Sequence, residues 1–201
     1  MLPVAGLSAR LCVLPLPHEV RAEYASWLPL KWQLAVEKRK AQAIAARWCA
    51  AVAARALKIE LTALPLDEAG CPVWPEGMVG SLSHSERKAV AVVSTTFQKL
   101  GVDVEELFDQ SKVELLSDTV LTGKEKRSLS ADAELARWQV SAIFSLKEAA
   151  YKALFPELRV FIDFHQLEVD LTQLQITHES GHRLLGHVSQ QDGHVISIAY
   201  R

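Results

Sequence analysis

The chain of 201 residues has only three cysteines, Cys12, Cys49 and Cys71, far apart and odd in number. No Cys-x-x-Cys and no Cys/His metal spacing occurs, which excludes a zinc framework and fits a reduced, cytoplasmic protein. Basic excess is lacking as well: 22 Lys and Arg stand against 24 Asp and Glu, a formal net charge of −2. Non-specific nucleic-acid binders show the opposite balance, so no nucleic-acid partner is expected. The first ten residues have no basic lead-in, and Arg10 interrupts their apolar stretch. Neither a signal peptide nor a membrane span is expected. Finally, Gly-x-Gly-x-x-Gly, P-loop and Gly-x-Ser-x-Gly motifs are missing, which removes the commonest nucleotide-binding and acyl-hydrolase signatures.

What is present is an ordinary globular composition, 49% hydrophobic and 23% charged. Such a chain can bury a core as one large domain or as two small halves. Its charge is unevenly spread. Lys38, Arg39, Lys40, Arg47, Arg55 and Lys58 give an early segment a basic cast, whereas 103–118 is acid-rich. A basic patch beside an acidic site suits a phosphorylated small molecule.

Periodicity predicts a strand over 9–16 and a long helix over 36–57, with Ile44, Trp48, Val52 and Ala56 as its apolar stripe. Arg39 and Arg47, eight apart, share nearly one face, most simply a solvated one. A turn-rich loop over 58–79 precedes strands at 80–84, 89–94 and 100–105, the first two joined as a hairpin through 85–88. Residues 106–123 read as an irregular connection containing two Ser/Thr-x-x-Glu helix starts, Ser111 to Glu114 and Thr122 to Glu125, the second opening a short helix over 123–129. Its apolar residues Leu107, Phe108, Val113, Leu115 and Leu116 suit either a partner surface or a cover for the core. A second long helix is predicted over 133–154, with Leu135, Trp138, Ile143, Leu146 and Ala150 inward and Pro156 as its stop. Strands follow at 166–171, 173–178, 183–189 and 194–200, with turns at Ser180-Gly181 and Asp192-Gly193.

The segment beginning at Gly80 aligns without a gap on the one beginning at Gly186, a weak internal repeat. The expected fold class is therefore α+β, with two similar halves, 1–105 and 106–201, related by a pseudo-twofold axis. Each half is a long helix on an antiparallel sheet, and the active site lies in the cleft between them.

Two stretches can carry chemistry. Asp103 and Glu105, two apart in a strand, share one face. Glu148 and Lys152, four apart in a helix, also share one. Three carboxylates gathered from strand and helix form the oxygen-rich site that Mg²⁺ takes when a substrate phosphate completes its shell. Taken singly, each is as well explained as a solvated acid. His84 ends a strand beside Ser83 and Ser85; His18, His165, His178, His182, His187 and His194 show no shared metal spacing.

The set Gly80-Ser-Leu-Ser-His84, Gly101-Val-Asp-Val-Glu105 and Phe144-Ser-x-Lys-Glu-Ala-x-Tyr-Lys152, in this order and spacing, resembles the 4′-phosphopantetheinyl transferases, nearest the enterobactin synthase component D type. Lys38-Arg-Lys-Ala41 leading to Ala46-Arg47, and Pro72-Val-Trp-Pro-Glu-Gly77, support the resemblance over about 36–155. It implies transfer of the 4′-phosphopantetheine arm of coenzyme A to a serine of an acyl, peptidyl or aryl carrier protein, releasing adenosine 3′,5′-bisphosphate. It further implies metal ligands at Asp103, Glu105 and Glu148, and coenzyme A contacts at Arg47, His84 and Ser83. Arg39 joins these contacts as a basic neighbour, and Lys152 lies beside the pyrophosphate. Glu148, through water, is the first choice of general base and Lys152 the alternative. The family's basic residue before the Pro-x-Trp-Pro stretch is missing at Ala69-Gly70-Cys71; Lys38, Arg39 or Arg87 are the substitutes at hand. A monomer is expected. Mg²⁺-dependent hydrolysis of a nucleotide pyrophosphate and an inactive coenzyme A- or carrier-binding protein are the competing readings.

Overall fold

The structure, a computed structural model, describes residues 2–3, 9–16, 26–28 and 35–201, so His18 lies outside the described residues. The chain divides into two compact units, 1–100 and 101–201.

In the first unit, β1 (Leu2–Pro3), β2 (Arg10–Pro15), β3 (Val79–His84) and β4 (Lys88–Ser94) form a sheet in the order β1-β2-β4-β3. Helix α1 (Glu37–Arg55) packs on β2 and β4. Its inward residues are Ala46, Cys49, Ala50 and Ala53, which join Cys12, Ala89, Ala91 and Val93 in one core. The predicted Ile44–Trp48–Val52 stripe is therefore not the principal face. Ile44 instead packs with Leu28, while Trp48 and Val52 are only half-buried. Alanines sit beneath the helix because small side chains let a helix axis lie close to a sheet. The 58–79 loop packs as its composition predicts, burying Leu61, Leu64 and Met78. Trp74 lies so near Gly80 that a Cβ there would meet the indole at 2.7 Å.

In the second unit, β5 (Leu100–Glu106), β6 (Leu167–Asp170), β7 (Gln175–His178), β8 (Arg183–Gln191) and β9 (His194–Tyr200) are ordered β5-β9-β8-β7-β6. This corrects one expectation: the strand bearing Asp103 and Glu105 pairs with β9 in the second sheet and does not end the first. Sequence alternation identifies a strand but carries no record of a partner some ninety residues away. Helix α4 (Ala133–Leu158) covers this sheet, with Ile143, Leu146, Ala149, Ala150 and Leu154 in its core. Each unit thus places its long helix on a sheet in which the strand before the helix adjoins the last strand of a hairpin.

Three other expectations change. Residues 106–123 are largely helical: α2 (Gln110–Val120) is capped by Asp109, whose side chain accepts from Lys112 N at 2.8 Å. Phe108, just before α2, and Val113 within it face the core, whereas Leu115 is exposed. Pro156 falls inside α4, whose end comes at Leu158 with Arg159 in the left-handed region at φ 54°. The proline removes one N–H donor to the carbonyl four residues back, yet the helix continues two residues beyond it. Leu135 is 47% exposed, since the first turn of α4 projects beyond the core. The short helix α3 (Gly123–Arg127) does have the complete Thr122–Glu125 capping box.

Candidate active site

Gly101 decides how closely α4 approaches β5. A Cβ at this position would lie 1.8 Å from the Ala149 carbonyl oxygen, so only glycine admits this contact. Two and four residues on, Asp103 and Glu105 share the Gly101 side of the strand. On α4, Glu148 and Lys152 flank Ala149 and rise beside them. Lys152 Nζ donates to Asp103 Oδ1 at 2.7 Å and to the Val102 carbonyl at 3.2 Å. Asp103 is 3% exposed. The strand and helix motifs separated by some forty residues of sequence are therefore in direct contact.

The electrostatics show how near the three acids are to one another. Burial pushes the Glu105 carboxyl up to about 7, and the charge of Asp103 adds to it; Glu148 adds further, against Lys112 and Lys152. Glu148 is raised too, by burial and then by Asp103. Lys112 on α2 stands 3.6 Å from Glu105 Oε2. The donor set is all oxygen and rich in negative charge, the chemistry that a hard divalent cation takes. As the side chains stand, among the described residues no three His, Cys, Asp or Glu groups are arranged to hold a metal ion. Lys152 and Lys112 each meet one carboxylate oxygen there, Asp103 Oδ1 and Glu105 Oε2.

The other predicted residues belong to the first unit. Arg47 is 4% exposed, not on a solvated face. Its guanidinium donates from Nε to the Trp27 carbonyl at 3.2 Å and from Nη1 to the Ala43 carbonyl at 3.1 Å. These bonds use two of its five N–H groups. Burial draws its pKa down from the usual arginine range. Ser83 and His84 pair with Val90 and Ala89 on β4, and as strand neighbours they point to opposite faces. His84 shares the α1 side with Ala89. Near it, the 85–88 turn is tied to the start of α1 by Lys38–Glu86 at 2.5 Å and by Gln42 Nε2 donating to the Ser85 carbonyl at 3.0 Å. Arg39 lies exposed on the first turn of α1. Gly70 has φ 87° in a turn closed by Asp67, which accepts from Cys71 N at 2.8 Å. A φ in this range favours glycine over a residue with a side chain.

Two charged residues had no role in the sequence reading, although Lys147 stands in its Phe144–Lys152 motif. Lys147, completely buried, spends all three ammonium protons on the Val120 carbonyl (2.8 Å), Glu125 Oε2 (2.8 Å) and the Phe164 carbonyl (2.9 Å). Glu125 is satisfied in turn by Thr122 N and Val169 N, both at 2.7 Å. The available signal was a lysine set among the buried residues Ile143, Leu146 and Ala150. Lys112 is the second. Its ammonium lies 3.9 Å from the Phe108 ring centroid, a contact for which the sequence offered no signal because Phe108 precedes α2.

Known proteins resemble the chain over most of its length. A family model described as the 4′-phosphopantetheinyl transferase N-terminal domain matches residues 30–94, and that of the 4′-phosphopantetheinyl transferase superfamily matches 99–199. Enterobactin synthase component D of Escherichia coli O157:H7 is 36% identical over 160 residues, 77% of this chain and 75% of that protein. The Salmonella typhi protein of the same name is 34% identical over 161 residues, 79% of this chain. The alignment spans only 66% of that relative's length. The 4′-phosphopantetheinyl transferase Npt of Nocardia iowensis is 32% identical over 136 residues, 67% of this chain and 60% of its own. Among solved structures, the holo-[acyl-carrier-protein] synthase of Helicobacter pylori in complex with coenzyme A overlaps 51% of this chain and 99% of its own, at 17% identity and a TM-score of 0.39. On the matched family models and these identities, the chain belongs to the 4′-phosphopantetheinyl transferase superfamily.

Proposed function

We propose that the chain transfers the 4′-phosphopantetheine arm of coenzyme A to a serine hydroxyl of an acyl, peptidyl or aryl carrier protein, releasing adenosine 3′,5′-bisphosphate. The observation that carries this reading is the assembly of Asp103, Glu105, Glu148 and Lys152 across the Gly101–Ala149 contact. Attack by the hydroxyl on the β-phosphorus builds negative charge on the pyrophosphate oxygens and on the departing bisphosphate.

Asp103, Glu105 and Glu148 would hold Mg²⁺, which when bound neutralises that developing charge. Lys152 supplies a second cation for the same oxygens once Asp103 is engaged elsewhere. Glu148 is the general base for the serine proton, directly or through one water. Its raised pKa brings a carboxylate nearer the working range of a base. Lys152 is the weaker candidate, because its ammonium is already committed as a donor to Asp103 and Val102. Arg39, Arg47, Ser83 and His84 would hold coenzyme A. Arg47 would do so through the N–H groups that its two carbonyl bonds leave over, and His84 from the end of β3.

One chain contains both residue sets, which supports a monomer. Among the described residues no helix is long and apolar enough to cross a membrane. Together with the scattered cysteines, this supports a cytoplasmic location. Product analysis tests the reading: transfer consumes coenzyme A only when a carrier is present, whereas free phosphopantetheine formed without one would replace transfer by hydrolysis.

A further inference from the structure

Lys112 is positioned by three independent contacts. Its backbone N–H donates to the Asp109 cap at 2.8 Å, which fixes the first turn of α2. Its ammonium lies 3.9 Å from the centroid of Phe108, and that ring is buried edge-on against Phe144 at 5.3 Å. The same ammonium reaches Glu105 Oε2 at 3.6 Å. The side chain is 46% exposed, so an ordinary surface pair of this kind would contribute almost nothing to stability. A rigid aromatic seat is not needed for that. It is suited to keeping a positive charge beside Glu105 at small entropic cost.

The neighbouring pair has the same logic. Asp103 is matched by Lys152 as Glu105 is matched by Lys112, so each of these two acids has its own lysine. Each lysine meets one oxygen of its acid, so it competes with a divalent cation for that carboxylate.

We propose that Lys112 is a stand-in cation: it neutralises Glu105 while no divalent ion is bound and is displaced from that carboxylate when one binds. The inference rests on the metal reading above. Its ammonium, released from Glu105 but retained on α2, then becomes available to anionic groups of the substrate. Lys112 thereby sets the metal affinity of the site, holding it lower than three carboxylates alone would give. Metal uptake is consequently favoured when an anionic substrate offers the lysine a new partner.

Calorimetric titration of the purified full chain with Mg²⁺ at low ionic strength tests this without any turnover. Lys112→Ala removes a unit charge within a few ångströms of the ion, and should tighten Mg²⁺ binding about three- to tenfold. Lys112→Arg keeps the charge and should bind Mg²⁺ as the unaltered protein does. Lys112→Gln provides a second neutral variant should the alanine protein be poorly folded. Unchanged or weaker Mg²⁺ binding by both neutral variants, with the unaltered protein binding normally, overturns the stand-in role alone. No Mg²⁺ binding by the unaltered protein removes the metal reading itself, and the stand-in with it.

Discussion

Lys152 and Asp103 meet at 2.7 Å across the contact between α4 and β5, an ion pair whose carboxylate is almost wholly buried. A pair in this position has two uses. It neutralises an acid that would otherwise be stranded in the interior, and it keeps an ammonium beside the place where a metal would sit.

Asp103→Ala should lower turnover by a hundredfold or more, by removing a metal ligand and unpairing Lys152. Lys152→Ala should reduce kcat more than it weakens coenzyme A binding, since its stabilisation is called on as charge develops. Steady-state kinetics beside a direct coenzyme A titration checks both. Near-normal turnover of Asp103→Ala at saturating Mg²⁺ would contradict the metal assignment.

Glu105 predicts a pH dependence of stability. Its native pKa, about 7, lies above the ordinary glutamate value of 4.5, so between these pH values the native state binds more protons than the unfolded one. Without metal, stability should therefore fall as pH rises from about 4.5 to 7. Mg²⁺ competes with that proton, so it should raise Tm by a few degrees at pH 8 and by much less at pH 5.5. Thermal melts at the two pH values, with Mg²⁺ and with EDTA, measure it.

Gly101→Ala should be among the most damaging single-methyl additions. Its Cβ meets backbone, not a side chain that could swing aside, so α4 must shift from β5. A loss of about 3 kcal/mol or more is expected, together with loss of the Lys152–Asp103 pair. A urea midpoint within error of the unaltered protein would show that the contact yields.

The Lys147–Glu125 pair predicts a non-additive cycle. Lys147→Met strands Glu125 in the core and should cost about 3–5 kcal/mol, and Glu125→Gln should cost less. The double variant Lys147→Met/Glu125→Gln should cost less than the sum of the two, since no charge is then left buried without its partner and the glutamine oxygen can still accept a backbone N–H. Denaturant unfolding of the two single variants and the double variant checks this.

Much of this architecture is written in local patterns. The apolar runs of β4 and β9, the Thr122–Glu125 cap and the four-residue spacing of Glu148 and Lys152 can all be read without tertiary information. What escapes is set by partners distant in sequence. Helix α2 contains Ser117, Asp118 and Thr119, weak helix formers, and is held by burying Val113 and Val120 in the α4 core. Arg47 reads as a surface residue until the carbonyl of Trp27 is known to be above it. The acids of β5 were legible as a pair, but the sheet they ride on depends on β9. At Gly101, the sequence shows a glycine beside an acidic pair, and only the structure shows why nothing larger is tolerated.

The most direct test is the intact mass of a carrier protein after incubation with this chain, coenzyme A and Mg²⁺, with EDTA and the Asp103→Ala protein as controls. The account predicts a gain of one phosphopantetheine group, lost in both controls. No gain on acyl, peptidyl and aryl carriers alike, from a folded protein that still binds coenzyme A, would contradict it.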